Sequence, residues 1–294
     1  MAKILDGRKL SSEIRDELKQ KIKSLAAEGI IPGLAGILVG EEQGSATYIR
    51  LKEKAGEELG IHSEVVRLPE NTTEKHLLKE ISRLNLDDKI HGIFIQLPLP
   101  KHITESKALA AISPDKDVDG FHPMNVGKAW VGQEAFLPAT PSGIYEMLLR
   151  YGYNNFKRKN VVIVNVDNLV GKPLASIFVR EDVGANVTLC HPSTPDLSNY
   201  TRRADILVVS VNKPRFISAD MVKEGVIAID FGANYIDDST GKTKKRLVGD
   251  IDFEGVKEKA EAITPVPGGV GPMTITMLLC NTIKAAEIMH HIQS

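Results

Sequence analysis

The sequence predicts an α/β protein of two domains, a parallel sheet with helices on both faces followed by a second strand–helix alternation. Three observations predict it. Apolar strands alternate with amphipathic helices three times in the first hundred residues, the alternation restarts at Val161 after a stretch rich in Pro, Gly and Asp, and one long helix closes the chain. A helix between successive strands leaves those strands parallel, and helices then cover the sheet.

Leu10, Ile14, Leu18, Ile22 and Leu25 recur at spacings of four and three, which predicts an amphipathic first helix. Residues 33–40 form a nearly all-apolar strand between glycines. A helix over 45–59 stops at Gly60, a residue suited to a helix C-terminus. Residues 62–68 are strand-like. Asn71, with Glu74 three residues on, is the expected N-cap of a helix through Leu84. The strand over 91–97 runs into Pro98-Leu99-Pro100, where a hydrogen-bonded ladder cannot continue. Residues 113–141 show no periodic element, and the domain change is placed near Ala139.

A helix over 142–151 crosses into the second alternation. Its expected parts are a strand over 161–166, a helix after Lys172, strands over 186–189 and 206–211, a helix near Ser218, and strands over 226–231 and 263–264. The last helix, 274–290, carries Leu278, Thr282 and Ala286 on one stripe. It follows a loop of glycines and prolines, so it is expected to return to the first domain. The expected domains are 1–139 plus 270–294, and 140–269.

The bulk composition narrows the function. Of 294 residues, 42% are hydrophobic and 26% charged, as in a globular protein with a substantial core. Lys+Arg number 37 against 38 Asp+Glu, a net charge of −1, which argues against a nucleic-acid binder. Cys190 and Cys280 are too few for a disulfide framework or a cysteine zinc site. No apolar run approaches membrane-spanning length, and the first residues lead into a polar helix without a signal-peptide core. A cytoplasmic protein is expected. The eight histidines, at 62, 76, 91, 102, 122, 191, 290 and 291, show no metal-ligand spacing, so no metal is expected, and His290-His291 is read as a solvated helix end. Ser142 and Ser210 lack a nucleophile-elbow setting. Lys242, Lys244, Lys245 and Arg246 are read as a solvated hairpin tip.

Tyr48 and Lys52, four apart on the second helix, share a face. An ordinary surface pair has that spacing too. Gln96 stands at the C-terminal end of a strand, where open α/β sheets bind ligands. It is wedged between an apolar strand and two prolines, and Asp117 and Asp119 follow in a glycine-terminated loop.

Four segments resemble the bifunctional methylenetetrahydrofolate dehydrogenase/methenyltetrahydrofolate cyclohydrolase family. They are Ser45-Ala-Thr-Tyr48-Ile-Arg-Leu-Lys52-Glu-Lys54-Ala, Gly92-Ile-Phe-Ile-Gln96-Leu-Pro-Leu-Pro100, Lys116-Asp-Val-Asp119-Gly-Phe, and Thr264-Pro-Val-Pro267-Gly-Gly-Val-Gly271-Pro-Met-Thr274. They match in order and spacing over nearly the whole chain. The resemblance implies a folate-binding catalytic domain followed by a Rossmann-like dinucleotide-binding domain, with NADP or NAD as cofactor and a tetrahydrofolate derivative as substrate. It implies one-carbon metabolism, with a link to purine biosynthesis, and a homodimer. By the same resemblance Lys52 is the central catalytic group, Gln96 its hydrogen-bonding partner, Tyr48 the residue that stacks on or orients the folate, and Asp119 an acceptor for the pterin. Ser45, Leu97, Pro98, Pro267, Gly268 and Gly269 would line the substrate. A lysine base needs its pKa depressed from about 10.4, which burial beside a cationic methenyl-folate supplies.

The second domain departs from the family pattern. Where the family has Gly-Arg-Ser, two variable residues, then Val-Gly-x-Pro, this chain reads Asn165-Val166-Asp167-Asn168-Leu169-Val170-Gly171-Lys172-Pro173. Gly171 and Pro173 match. Val166 stands where the family arginine grips the 2′-phosphate of NADP, and Pro192 where a serine after His191 assists it. Asp167 adds a negative charge near the helix N-terminus, or caps that helix. Asn212 replaces a usual glycine, whereas the turn through Ala233 matches. NADP preference is therefore expected to be weakened or lost. Two outcomes stay open, NAD use or a cyclohydrolase with weak or absent dehydrogenase. A non-catalytic folate-binding protein is disfavoured by the intact Tyr48, Lys52, Gln96 and Asp119. An unrelated hydroxy-acid dehydrogenase is disfavoured because the first domain lacks a recognisable Arg/His pair.

Overall fold

The computed structural model describes residues 2–40, 43–237 and 245–290. In chain order the elements are β1 (Lys3–Ile4), α1 (Gly7–Ala27), β2 (Gly33–Val39), α2 (Gln43–Leu59), β3 (His62–Leu68), α3 (Glu74–Leu86) and β4 (Gly92–Ile95). There follow α4 (Glu105–Ala111), α5 (Pro123–Trp130), α6 (Ala139–Arg150), β5 (Asn160–Val164), α7 (Gly171–Phe178), β6 (Asn186–Cys190), α8 (Ser198–Thr201) and β7 (Ile206–Val209). The chain ends with β8 (Ile227–Asp230), β9 (Asn234–Asp237), β10 (Lys245–Val248), α9 (Phe253–Lys257), β11 (Ala262–Ile263) and α10 (Val270–Met289).

The chain divides into two compact units, Ser12–Ala139 with Ile275–Ser294, and Met1–Ser11 with Thr140–Thr274. The expected boundaries are 139/140 and 269/270, whereas the compact units divide at 11/12, 139/140 and 274/275.

The first of these units is built on a three-stranded parallel sheet ordered β3-β2-β4. β2 lies in the middle and all seven of its residues are buried, which accounts for its unbroken apolar run. Ile37, Leu77, Ile81, Leu84, Ile93 and Ile95 fill one side of the core. The predicted stripe of α1 is buried at all five positions.

Some local expectations are corrected. The N-cap of α3 is Thr73, not Asn71: its hydroxyl accepts the His76 N–H at 3.2 Å. Glu74 instead accepts the Thr104 N–H at 2.8 Å, at the start of α4. The stretch 113–141 contains α5, with Pro123 in its first turn and the His122 ring accepting the Met124 N–H at 3.0 Å. Eight residues with a proline and a glycine were too short to show a period. α10 begins at Val270, four residues before expectation, and its Leu278, Thr282 and Ala286 are all buried.

The other unit is a six-stranded parallel sheet ordered β1-β11-β8-β7-β5-β6. β1 joins it by pairing with β11, Leu5 then donating its N–H to Ile263 at 2.9 Å. A two-residue strand carries no period, so sequence reasoning passed over it. The helix expected near Ser218 is a short 3-10 helix of three residues, Ala219–Met221. β9 and β10 pair antiparallel; Lys245 and Arg246 lie in β10, whereas Lys242 and Lys244 lie outside the described residues.

Candidate active site

Lys52 is placed by close packing of α2 against the first sheet. In the β2–β4 ladder Gly36 lies opposite Phe94, and a Cβ at Gly36 would stand 2.5 Å from the Phe94 ring. The missing side chain makes room for that ring. Lys52 is buried, with Nζ 4.1 Å from the Phe94 centroid and 5.4 Å from that of Tyr48 one turn earlier. Nζ donates to Gln96 Oε1 at 3.5 Å, a long contact. Gln96 follows β4 and extends its ladder by donating its N–H to Ile37 at 2.9 Å, while its Nε2 donates to the Leu97 carbonyl at 3.0 Å. That second bond turns the amide oxygen toward the lysine.

Burial holds the Lys52 ammonium below the ordinary lysine value, against the opposing charge of Asp119. Burial likewise raises Asp119 to about 6; Lys52 opposes that rise and Asp117 adds to it. Each group thus meets one nearby opposite charge and loses much of its water.

The two aspartates of the loop have separate roles. Asp117 is buried and accepts the N–H groups of Phe121 (3.2 Å) and His122 (2.8 Å) and the Asn125 amide (2.9 Å). Lys116 secures the other side by donating to the carbonyls of Leu84 and Asp87. Asn281 of α10 donates to the Val118 carbonyl at 2.8 Å. These bonds hold the backbone on both sides of Asp119, whose carboxylate is left coupled to Lys52. Among the expected substrate contacts, Leu97 packs partly into the core of the first sheet and Pro98 is exposed after a cis peptide bond. The Ser45 side chain lies outside the described residues. His290 is more than a solvated end, since its Nε2 lies 3.2 Å from that of buried His91; His291 lies outside the described residues.

The second constellation lies in the six-stranded unit. The chain leaves β5 for β6 on one side and returns to β7 on the other, so the C-terminal ends of β5 and β7 meet at a topological switch point. Asn165 bridges it: buried, it donates from Nδ2 to the Ser210 carbonyl at 2.8 Å and accepts at Oδ1 the N–H groups of Asp167 (2.9 Å) and Gly171 (3.0 Å). A Cβ on Gly171 would stand 2.2 Å from the Asn165 carbonyl oxygen, so only glycine begins α7 here. Asp167 is exposed and does not cap α7; it braces the turn before it, with Oδ1 accepting the N–H groups of Leu169 (2.9 Å) and Val170 (2.7 Å) and Oδ2 accepting from Asn165 Nδ2 (2.7 Å). Val166 is half-buried. After β6, His191 Nδ1 lies 2.6 Å from the Ser193 hydroxyl, with Pro192 between them.

Two buried acids shape the neighbouring loops. Asp230 accepts the N–H groups of Gly232, Asp250 and Ile251 at 2.8–3.0 Å, and burial raises it to about 6. Asp250 accepts the N–H groups of Asn212 (3.0 Å) and Lys213 (2.8 Å) and the Asn234 amide (2.7 Å). Asn212 holds φ at +54°, the left-handed region, which is why a glycine suits the position and asparagine is tolerated. Ala233 is exposed on the turn after β8. Sequence reasoning missed Asp250; an isolated Gly-Asp pair carried no signal. Pro267 is exposed after a second cis bond, and the Gly268 carbonyl accepts the N–H groups of Gly7 and Arg8 at the start of α1. Gly269 is buried, its N–H donating to Pro265 at 2.8 Å. Among the described residues no cluster of three or more His, Cys, Asp or Glu side chains is arranged to hold a metal. None of the described helices is long and apolar enough to cross a membrane.

Comparison with known proteins matches this geometry twice over. Residues 5–119 match the family model described as "Tetrahydrofolate dehydrogenase/cyclohydrolase, catalytic domain", and residues 138–290 match its "NAD(P)-binding domain". The protein named "Bifunctional protein FolD" of Nautilia profundicola is 51% identical over 284 residues, 97% of each chain. That of Bacillus pumilus is 50% identical over 286 residues, 97% of this chain and 98% of its own. The crystal structure of the bifunctional FolD methylenetetrahydrofolate dehydrogenase/cyclohydrolase of Campylobacter jejuni has a TM-score of 0.93 at 47% identity, covering 98% of this chain and 100% of its own. The Trypanosoma brucei dehydrogenase-cyclohydrolase, solved with NADP and an inhibitor, has a TM-score of 0.93 at 36% identity, covering 98% of each.

Proposed function

The chain belongs to the tetrahydrofolate dehydrogenase/cyclohydrolase family, and from that premise we propose that it interconverts 5,10-methylene-, 5,10-methenyl- and 10-formyl-tetrahydrofolate through an NAD(P)-dependent dehydrogenase and a cyclohydrolase. The observation that carries the reading is the buried Lys52, close to the Phe94 and Tyr48 rings, bonded to Gln96 and within reach of the Asp119 charge.

In the cyclohydrolase step water adds to the methenyl carbon, the bond from that carbon to N5 breaks, and one proton is released. Lys52 serves as the base that positions this water and takes its proton. Burial lowers its pKa and so favours the neutral amine, and a cationic substrate alongside would favour it further. Gln96 orients the amine through its amide oxygen. Tyr48 presents a ring to the flat substrate, and Asp119, once ionised, accepts hydrogen bonds from the pterin. Ser45, Leu97 and Pro98 would flank the substrate, with Pro267, Gly268 and Gly269 contributing backbone.

The bound nicotinamide supplies the hydride acceptor of the dehydrogenase step. The residues at the switch point fit a dinucleotide. The Gly171 approach, the first turn of α7 and the loops held by Asp230 and Asp250 form the kind of edge at which open sheets take such ligands. Asn165, Val166, Asp167, Gly171, His191, Pro192, Asn212 and Ala233 are the residues proposed to hold it. The relatives are named bifunctional, and the NAD(P)-binding model spans 138–290, which favours two activities over a cyclohydrolase alone. The reading includes a folate-binding segment of residues 1–139 plus 270–294, a dinucleotide-binding segment of 140–269, a homodimer and a cytoplasmic location.

Two assays on one preparation test it: hydrolysis of methenyl-tetrahydrofolate, and reduction of NAD or NADP by methylene-tetrahydrofolate. Turnover in both is expected. A purified protein that hydrolyses the methenyl compound and reduces neither nucleotide would reduce the reading to a cyclohydrolase.

A further inference from the structure

At the switch point, the charged side chain anchored between α7 and the C-terminal end of β5 is a carboxylate. Both oxygens of Asp167 are held in place, one by the Leu169 and Val170 N–H groups and the other by Asn165 Nδ2. Those two N–H groups belong to the turn before α7; at the helix start itself the Gly171 N–H goes to Asn165 Oδ1, the Lys172 N–H to the Asp167 carbonyl, and Pro173 has none. The nearest cation in sequence, Lys172, is turned to Asn168 Oδ1 at 2.7 Å. On the adjacent loop after β6, the His191 ring is engaged by the Ser193 hydroxyl and N–H, and Pro192 offers no donor. Val166 brings none either.

In a doubly wound sheet, the adenosine ribose of a dinucleotide is read near these strand ends, a carboxylate suiting a 2′-hydroxyl and an arginine a 2′-phosphate. A hydroxyl can donate to Asp167, which keeps accepting capacity after its three internal bonds. A phosphate cannot donate in its dianionic form, and it brings two negative charges against a fixed third. Like charges repel, and neither Val166 nor Pro192 sets a donor against them.

We propose that Asp167 sets nucleotide choice in this chain, accepting a hydrogen bond from the adenosine 2′-hydroxyl and excluding a 2′-phosphate, so that NAD is bound in preference to NADP. The inference rests on the dehydrogenase reading above, and it goes beyond the loss of an arginine at Val166. That loss weakens NADP binding, whereas the Asp167 carboxylate adds a bond to NAD and a repulsion to NADP.

The test is direct binding of NADH and NADPH to the whole protein, followed by fluorescence without substrate. The wild type is expected to bind NADH at least tenfold more tightly. Asp167→Asn keeps an oxygen for the Leu169 and Val170 N–H groups and removes the charge; the ratio of the two affinities should fall several-fold. Val166→Arg with Asp167→Ser should reverse the preference. The readout is a ratio within one preparation, so a partly folded variant does not shift it. Equal or tighter NADPH binding by the wild type, or an unchanged ratio in Asp167→Asn, overturns this inference alone. Failure of the wild type to bind either nucleotide overturns the dehydrogenase reading and the inference together.

Discussion

At Lys52, burial over Phe94 and the nearby Asp119 charge act on the same proton in opposite directions, and burial is the larger effect. Lys52→Arg separates the two possible uses of the side chain. A guanidinium keeps the charge but stays protonated at any working pH. Cyclohydrolase turnover is therefore expected to fall by about 100-fold or more, as in Lys52→Ala, measured as the loss of methenyl absorbance. Substantial turnover in Lys52→Arg would remove the base role. Asp119, raised to about 6, is ionised only above that value. Activity should rise through pH 6 on the acid side, and Asp119→Asn should lack that limb in a pH–rate profile. The stability linkage has the opposite sense. A carboxyl whose folded pKa is raised contributes stability below its unfolded value, and the contribution is lost as pH rises through about 6. Of the two loop aspartates, sequence spacing could not tell which faced the lysine, because the distinction lies in backbone N–H groups that close on Asp117 only in the folded loop.

Among the elements, periodicity revealed the long helices and the buried strands, since a repeating apolar face needs many residues to show. The stripe of α1 and the run of β2 are such cases. Short elements escaped: β1 is defined by a partner distant in sequence and α5 by a local cap. Asn71 suited the cap of α3 by residue type, and the contact of the Thr73 hydroxyl with the His76 N–H assigns it to Thr73 instead. Thr73→Ala should destabilise by about 1 kcal/mol in chemical denaturation, with Asn71→Ala near neutral. The end of α10 meets His91, whose Nδ1 accepts the Gly33 N–H at 2.9 Å and whose Nε2 faces His290. Burial first, then the charges of His290 and Lys116, lower His91 to about 4. A base with a depressed folded pKa gives stability that is full above the unfolded value near 6.5 and is lost as pH falls toward 4. Urea midpoints should therefore drop over that window, and His91→Gln should flatten the drop.

For the molecule as a whole, the two compact units are not two segments of sequence. Residues 1–11 cluster with Thr140–Thr274, and the stretch from Ile275 onward clusters with Ser12–Ala139. Leu5 is fully buried, and its N–H extends the β1–β11 pairing. Leu5→Ala should cost about 2–5 kcal/mol, read as an earlier unfolding transition in calorimetry, although its partners lie more than 200 residues away. The sequence by itself determined the α/β class and the order of the main strands and helices, and through its resemblance it pointed to the group of Tyr48, Lys52, Gln96 and Asp119. These are carried by local period and by long motifs in register, which survive in one dimension. Tertiary structure alone decided the pairing of β1 with β11, the separate duties of Asp117 and Asp119, and the anchoring of Asp167 across the turn before α7. Each depends on hydrogen bonds between groups whose approach is set by the packed chain, and no spacing along the sequence encodes that approach. For Lys52 the division runs through a single residue: its place on a helix face was legible in advance, whereas the burial that lowers its pKa exists only once Gly36 has let Phe94 settle beneath it.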